Sequence, residues 1–296
     1  DQVIKEREVP FTFVCPLHIH NVNFTYLRFL REFQLDNKDI GKYWDENAEN
    51  WTKLARLGYD RSRDLINSPA FFKMLPDISN LNGLDIGCGE GYNTRIAAKK
   101  GAKLIAIDIS EVFIKQAKDI EKQKPLWIEY KIASGTELPF PDNDFDFAIA
   151  TMSLMDIADN EKAIEEAFRV IKPGGFFQFS ITHPIVSNSD FKWIRNEEGR
   201  KIGFIIEDYF KKLNGEIEEW IFGAAPKNHT DKMEKFKIPR FTRTLSEWLN
   251  LLIDKGFILE KFCEPCIEDD LLEKHPEEYD SRIIPFFLII RCRKPK

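Results

Sequence analysis

Read for its alternation of apolar and polar positions, the chain divides into short, nearly unbroken apolar runs and longer stretches with apolar residues every three or four positions. The runs at Leu84–Ile86, Leu104–Ile107, Trp127–Ile132, Phe147–Ala150, Phe176–Ile181, Phe257–Phe262 and Phe286–Arg291 have the length and content of strands. The stripes Trp44/Ala48/Trp51/Ala55, Phe113/Ala117/Ile120, Ile164/Ala167/Phe168/Ile171 and Trp248/Leu249/Leu252/Ile253 each mark one face of a helix. Stop and start signals agree with this division. Ser110 and Asp159 or Asn160 are placed to cap helices, Pro69 to open a short one through Phe72 and Leu75, and Thr244-Leu245-Ser246-Glu247 is a capping box with Gly256 at the exit. Strand followed by helical stripe, repeated along the chain, predicts an α/β fold.

Three segments fall outside this rhythm. Residues 1–38 read as an N-terminal extension, including the run Val9–Ile19, whose flanks and two prolines do not suit a signal peptide. The aromatic-rich stretch 183–243 is too long for a structureless loop, so short strands and a helix forming a lid are expected there. Glu268 to Asp280 is acidic and reads as a solvated loop or helix. The main domain is placed at 39–296, with 183–243 as its insertion.

Composition narrows the function without naming it. The 296 residues carry 43 Lys plus Arg against 49 Asp plus Glu, a net charge of −6, with no extended basic block, so no nucleic-acid partner is expected. No run reaches the length of a membrane span. The five scattered cysteines suit a reducing compartment and a cytoplasmic location. Cys263-Glu264-Pro265-Cys266 is a single C-x-x-C without a second pair, so no metal is expected.

The chemistry gathers at Leu84-Asp85-Ile86-Gly87-Cys88-Gly89-Glu90-Gly91: a buried strand, a turn with glycine at alternate positions, then a helix starting near Tyr92. Glycines without Cβ let a ligand approach the backbone, and the helix start offers free N–H groups. A dinucleotide turn has its third glycine one place later, where Tyr92 stands. One strand on, the apolar run ends in Asp108, placed to accept hydrogen bonds from the hydroxyls of a ribose.

With Leu138-Pro139-Phe140-Pro141-Asp142, Phe145-Asp146 and the turn Lys172-Pro173-Gly174-Gly175, these residues resemble the class I S-adenosylmethionine-dependent methyltransferases, most closely the small-molecule type 11 branch. The resemblance implies a Rossmann-like doubly wound sheet of seven strands, mostly parallel with the last antiparallel, preceded by N-terminal helices. It implies S-adenosylmethionine as cofactor, with Asp85, Gly87, Cys88, Gly89, Gly91, Asp108, Ile109, Ser134, Gly135 and Thr151 around it, and Tyr43, Trp51 and Arg61 facing its sulfonium or carboxylate from the preceding helices. Ser134 stands where the family usually carries Asp. Trp44 reads as a core anchor.

His183, directly after the fifth strand, is the candidate general base. Arg240 and Arg243 are candidates to clamp an anionic acceptor, and Trp193, Tyr209 and Trp220 to wall the pocket. The expected reaction is in-line methyl transfer to an O, N or C atom of a small molecule. A nucleic-acid or protein methyltransferase and a non-catalytic cofactor-binding protein stay as alternatives. Oligomeric state is open.

Overall fold

A computed structural model describes residues 35–188 and 190–296. Most of the expected N-terminal extension, residues 1–34, lies outside the described residues. Helix α1 spans Asn37–Arg56, a π-helical turn covers Arg63–Asn67, and α2 spans Ser68–Met74. The α/β alternation follows: β1 Asn82–Ile86, α3 Tyr92–Lys99, β2 Lys103–Asp108, α4 Glu111–Gln123, β3 Glu129–Ile132, β4 Phe145–Thr151, a 3-10 turn at Leu154–Asp156, α5 Asn160–Val170 and β5 Ile171–Thr182.

The insertion then contributes a short α6 (Pro184–Ser187), β6 (Asp190–Arg195), β7 (Lys201–Glu207), β8 (Asn214–Trp220), a short α7 (Lys227–Thr230) and β9 (Phe236–Phe241). The chain closes with α8 (Leu245–Asp254), β10 (Ile258–Cys263), α9 (Asp269–Lys274), a 3-10 segment at Pro276–Arg282, and β11 (Phe287–Arg293).

Seven strands form one sheet in the order β10-β11-β5-β4-β1-β2-β3. β1, β2, β3, β4 and β5 run parallel, and β11 runs antiparallel to both β5 and β10. The Rossmann-like sheet with an antiparallel last strand is therefore present. Period-2 alternation fills both faces. Leu84, Ile86, Ala148, Ala150, Phe177 and Phe179 enter one cluster with α5 and α8. Phe147, Ile149, Leu104 and Ala106 enter the other, with α2, α3 and α4. The strand order reverses between β1 and its neighbours β2 and β4, which opens a crevice at their carboxyl ends.

The expected caps form: Ser110 accepts from the Phe113 N–H, Asp159 from the Lys162 N–H, and Thr244 and Glu247 make the reciprocal capping box. The insertion folds as two antiparallel hairpins, β6–β7 and β8–β9. The second hairpin docks on α1. Asn47 is buried there, donating from Nδ2 to the Lys237 carbonyl at 2.9 Å and accepting from the Lys237 N–H at 3.0 Å, as a paired strand would. Leu54, Ala55, Phe222, Phe236 and Ile238 close an apolar cluster beneath Trp51 and Trp220. The N-terminal helix and the insertion thus share one aromatic core.

Candidate active site

A cavity of about 760 Å³ lies over the crevice. Its floor is the glycine turn after β1, whose three glycines do different work. A Cβ at Gly89 (φ +54°) would have nothing within 4 Å, so its bare face opens to the cavity. A Cβ at Gly87 would strike Ser153, whose hydroxyl donates to the Ile86 carbonyl at 2.6 Å. A Cβ at Gly91 would come within 2.5 Å of the Tyr130 hydroxyl. Gly91 therefore serves packing at the start of α3, and is absent from the cavity lining where Gly87, Cys88 and Gly89 stand.

The two acids of the turn also separate. Asp108 lines the cavity; its Oδ2 accepts from the Gly89 N–H at 2.8 Å and its Oδ1 from the Ser110 N–H at 2.9 Å. Burial raises its pKa from 3.8 to about 6, against the lowering by the Ser110 and Gly89 backbone bonds; nearby Asp45 adds to the rise. Asp85, expected beside the ligand, is fully buried behind the turn and outside the lining. It accepts from the Thr94 hydroxyl at 2.6 Å, and its other oxygen is unpartnered. Burial pushes it to about 7, with the Thr94 bond opposing and Asp108 contributing.

Ile109, Ser134, Gly135 and Thr151 line the cavity, as do Trp51 and Arg61. Ser134 bonds Thr136 at 2.9 Å, and Thr136 accepts from the Asn37 amide at 2.6 Å, so α1 is tied to this wall. Tyr43, expected at the cofactor, does not line the cavity: α1 turns its neighbour Trp44 inward instead. Trp44 packs edge-on against Trp51 at 5.7 Å and beside Phe113 at 6.2 Å, so its place as a core anchor is also a place in the wall. Trp220 and Phe222 complete this wall from the β8–β9 hairpin, with ring centres 5.3 and 5.0 Å from Trp51.

The other residues expected at the site have their side chains engaged by protein partners. His183 is outside the lining; its Nδ1 accepts from the Ile185 N–H at 3.1 Å, and Nε2 lies 2.9 Å from Glu264. The first bond fixes the proton on Nε2, so no lone pair is left to act as a base. Burial lowers its pKa, with Glu264 opposing. Arg243 donates to Asn160 at 2.5 Å and lies over Trp248. Arg240 does line the cavity, but it is paired with Glu218. Trp193 packs on Phe204 and Phe286, and the Tyr209 hydroxyl accepts from the Leu245 N–H at 3.0 Å, both away from the cavity.

Several lining residues gave no local signal. Arg63 lies 3.8 Å over the Tyr92 ring and pairs with Asp64 at 2.8 Å, reaching Asp60 at 3.7 Å and Glu90 at 3.9 Å. Asn67 and Asn93 bring amides to the lining, the latter donating to Thr151 at 3.1 Å. Met152 holds φ +55°, a conformation that costs a non-glycine residue about 1–3 kcal/mol and is frequent at functional sites. The acidic segment is not merely solvated: Glu277, Glu278 and Asp280 reach the cavity wall. Among the described residues, no three His, Cys, Asp or Glu side chains gather as metal ligands.

Comparison with known proteins now bears on this geometry. Residues 84–179, from β1 to β5, match the family described as Methyltransferase domain. A crystal structure of an S-adenosylmethionine dependent methyltransferase from Mesorhizobium loti superposes with a TM-score of 0.61 at 28% identity, covering 76% of this chain and 96% of that one. Residues 84–179 thus form a class I S-adenosylmethionine-dependent methyltransferase domain of the type 11 branch. The ubiquinone/menaquinone biosynthesis C-methyltransferase UbiE of Rickettsia bellii is 32% identical over 166 residues, 50% of this chain and 66% of that protein. This methyltransferase thus spans just under two thirds of that relative. It aligns over 87% of its length with an uncharacterised protein of Haemophilus influenzae, 25% identical over 98% of the latter.

The residues present fit the cofactor of the family. Gly89 leaves free a cradle that a side chain would fill, and Asp108 is held by two backbone N–H groups with lone pairs to spare. Among the described residues no helix is long and apolar enough to cross a membrane.

Proposed function

We propose that this methyltransferase binds S-adenosylmethionine over Gly87, Cys88 and Gly89 and transfers its methyl group to an O, N or C atom of a small-molecule acceptor. The observation that carries this reading is the meeting, in one cavity, of the open face of Gly89 with the doubly anchored Asp108 carboxylate. At about 760 Å³ the cavity lies high in the roughly 300–1,000 Å³ range of small-molecule sites, enough for a nucleoside and a second small ligand together. The bound cofactor supplies a methyl group already activated by a positive sulfur.

The protein's part is then binding, alignment and exclusion of water. Asp108 accepts the ribose hydroxyls, while Ile109, Phe113, Ser134 and Gly135 border the base. Arg63, pinned over Tyr92, offers its remaining N–H groups to the methionyl carboxylate. Thr151 and Met152, at the carboxyl end of β4, border the space where the acceptor meets the methyl. Trp51, Trp220 and Phe222 shield it from water, which makes the β8–β9 hairpin the lid of the site. Holding acceptor, methyl and sulfur in line accounts for up to about 10 kcal/mol of the barrier in favourable cases. The name of the rickettsial relative favours carbon as one possible methylated atom, and the aromatic wall suits a flat apolar acceptor equally well.

Calorimetry with S-adenosylhomocysteine, followed by incubation with methyl-labelled cofactor and a metabolite extract, tests the reading. Saturable binding with label in a small product supports it. Absence of binding refutes it, and binding without transfer supports a non-catalytic cofactor-binding protein. Label in RNA, DNA or protein alone supports a macromolecular acceptor.

A further inference from the structure

The charges around the cavity are not balanced. Seven acidic side chains line it against four basic ones. All four basic groups are committed: Arg61 to Glu277, Arg63 to Asp64 and, on the reading above, to the methionyl carboxylate, Lys201 to Asp280 and Arg240 to Glu218. Two carboxylates of the lining, Asp156 and Glu278, have neither an ion pair nor a side-chain hydrogen bond among the described residues. An S-adenosylmethionine zwitterion carries one net positive charge and leaves a negative surplus. A carboxylate or phosphate acceptor would enter against that field without a free cation to meet it.

A second observation points the same way. Asn67 lines the cavity with none of its surface exposed; its Nδ2 donates to the Ser180 hydroxyl at 3.1 Å, and its Oδ1 has no partner. A buried carbonyl oxygen left without a donor is costly, and an N–H group brought within its reach would satisfy it. The wall of Trp51, Trp220 and Phe222 adds ring faces, which attract a cation and are indifferent to an anion.

We propose that the acceptor is a small amine that enters as its ammonium form, with Asp156 as its counter-charge and the group that takes its proton. This rests on the methyltransferase reading above and replaces the anion clamp expected of Arg240 and Arg243. Asp156 ends the 3-10 turn that follows β4, so it stands on the segment leading from the strand end where methyl transfer is placed. The groups that face it are Arg240 and Glu218, both on the β8–β9 hairpin and paired to each other.

Burial raises Asp156 to about 7, with Arg240 opposing and Glu218 adding. An arriving ammonium favours its ionised form, as any near cation does. Asp156 then accepts one N–H proton. The freed nitrogen lone pair forms the new N–C bond as the S–C bond breaks, its electron pair remaining on sulfur. The products are a methylated ammonium, S-adenosylhomocysteine and a protonated Asp156 that returns its proton to solvent.

The test uses the full chain saturated with S-adenosylhomocysteine and three probes of one shape: benzylamine, benzyl alcohol and benzoate. Binding is read by calorimetry. Benzylamine is expected to bind at least about tenfold more tightly than the alcohol, with benzoate weakest. Asp156→Asn should reduce the amine's advantage to within about threefold while S-adenosylhomocysteine affinity shows the site intact, and Asp156→Glu should restore part of it. Equal binding of amine and alcohol, preferred binding of benzoate, or an advantage that survives both Asp156→Asn and its combination with Glu278→Gln overturns the inference and leaves the cofactor reading standing. Failure of the wild-type chain to bind S-adenosylhomocysteine overturns both.

Discussion

Asp108→Asn isolates the contact on which cofactor binding is argued to depend. In the wild-type chain both carboxylate oxygens accept from backbone, Oδ2 from Gly89 and Oδ1 from Ser110. The asparagine keeps the shape but turns one oxygen into an NH₂ facing a backbone donor, which costs about 1–3 kcal/mol in the folded chain. It also removes a buried charge. The rise from 3.8 to about 6 sets that gain at no more than about 3 kcal/mol at neutral pH. The two effects offset each other, so the thermal midpoint should move by only a few degrees.

Binding has no such compensation. A hydroxyl bonded to a charged acceptor is worth about 1.5–3 kcal/mol, so S-adenosylhomocysteine affinity should fall about 10- to 150-fold. The sign of the pH effect follows too. Ribose hydroxyls stabilise the ionised carboxylate, so binding expels a proton wherever free Asp108 holds one. Wild-type affinity should therefore rise as pH increases through about 6 and level off above it, and the variant should lack that component. Calorimetry between pH 5 and 8, paired with melting curves, reads both effects. A variant that binds within about threefold of wild type, or keeps the same pH dependence, refutes the placement of the ribose on Asp108.

Other positions separate packing from chemistry. Gly89→Val should lower cofactor affinity at least about 100-fold by filling the cradle, besides the roughly 1–3 kcal/mol of stability that its φ of +54° costs, whereas Gly91→Ala should lose about 2 kcal/mol or more of stability through the Tyr130 hydroxyl and its φ of +85° while keeping cofactor affinity within about threefold. Urea titration beside calorimetry distinguishes them, and equal losses of both kinds at both sites would count against the division. His183→Gln should leave methyl transfer within about threefold of wild type, because both ring nitrogens are already bonded; a folded variant slowed about 100-fold would make His183 the base after all. Asp85 is raised in the folded state from 3.8 to about 7, so its contribution to stability is whole below about 4 and lost as pH rises through 7. Asp85→Asn, which can still accept from Thr94, should remove up to about 4 kcal/mol of that loss, seen as a higher urea midpoint relative to wild type at pH 8 than at pH 5. An unchanged difference between the two pH values would contradict it.

What the sequence made legible was what short-range rules govern. The period of Phe147 and Ile149 against Ala148 and Ala150 assigns each to its own sheet face, and Ser110, Asp159 and Thr244 cap the helices they precede. The K-P-G-G turn was also visible; it falls within β5, which begins at Ile171, where the register with β4 breaks between Ile171 and Phe176. The open turn at Gly89 and the acid at the end of β2 lie on one side of the crevice because strand order and strand polarity place them there. Local spacing distinguishes a glycine turn from a helix, but not Gly89 from Gly91, since that difference lies in Tyr130, nearly forty residues away.

The residues expected around an acceptor were harder to place, because their positions are set by partners far along the chain. His183 follows a strand end as a catalytic histidine would, yet Glu264 occupies its outer nitrogen; Arg240 is answered across its own hairpin by Glu218. The acidic run at 268–280 looked solvated because its charge is visible locally and its destination is not. Arg61 and Lys201, from two different elements, draw Glu277 and Asp280 to the cavity, and Glu278 comes with them. Of these pairings, the one between Arg240 and Glu218 consumes a cation that the sequence offered to the substrate. What they leave is a carboxylate at Asp156 without an ion pair of its own, facing a cation already held by Glu218, and an amide oxygen at Asn67 without a donor; on the inference drawn above, the selectivity of the site is set by the charges that remain unmatched after folding rather than by the charges present in the chain.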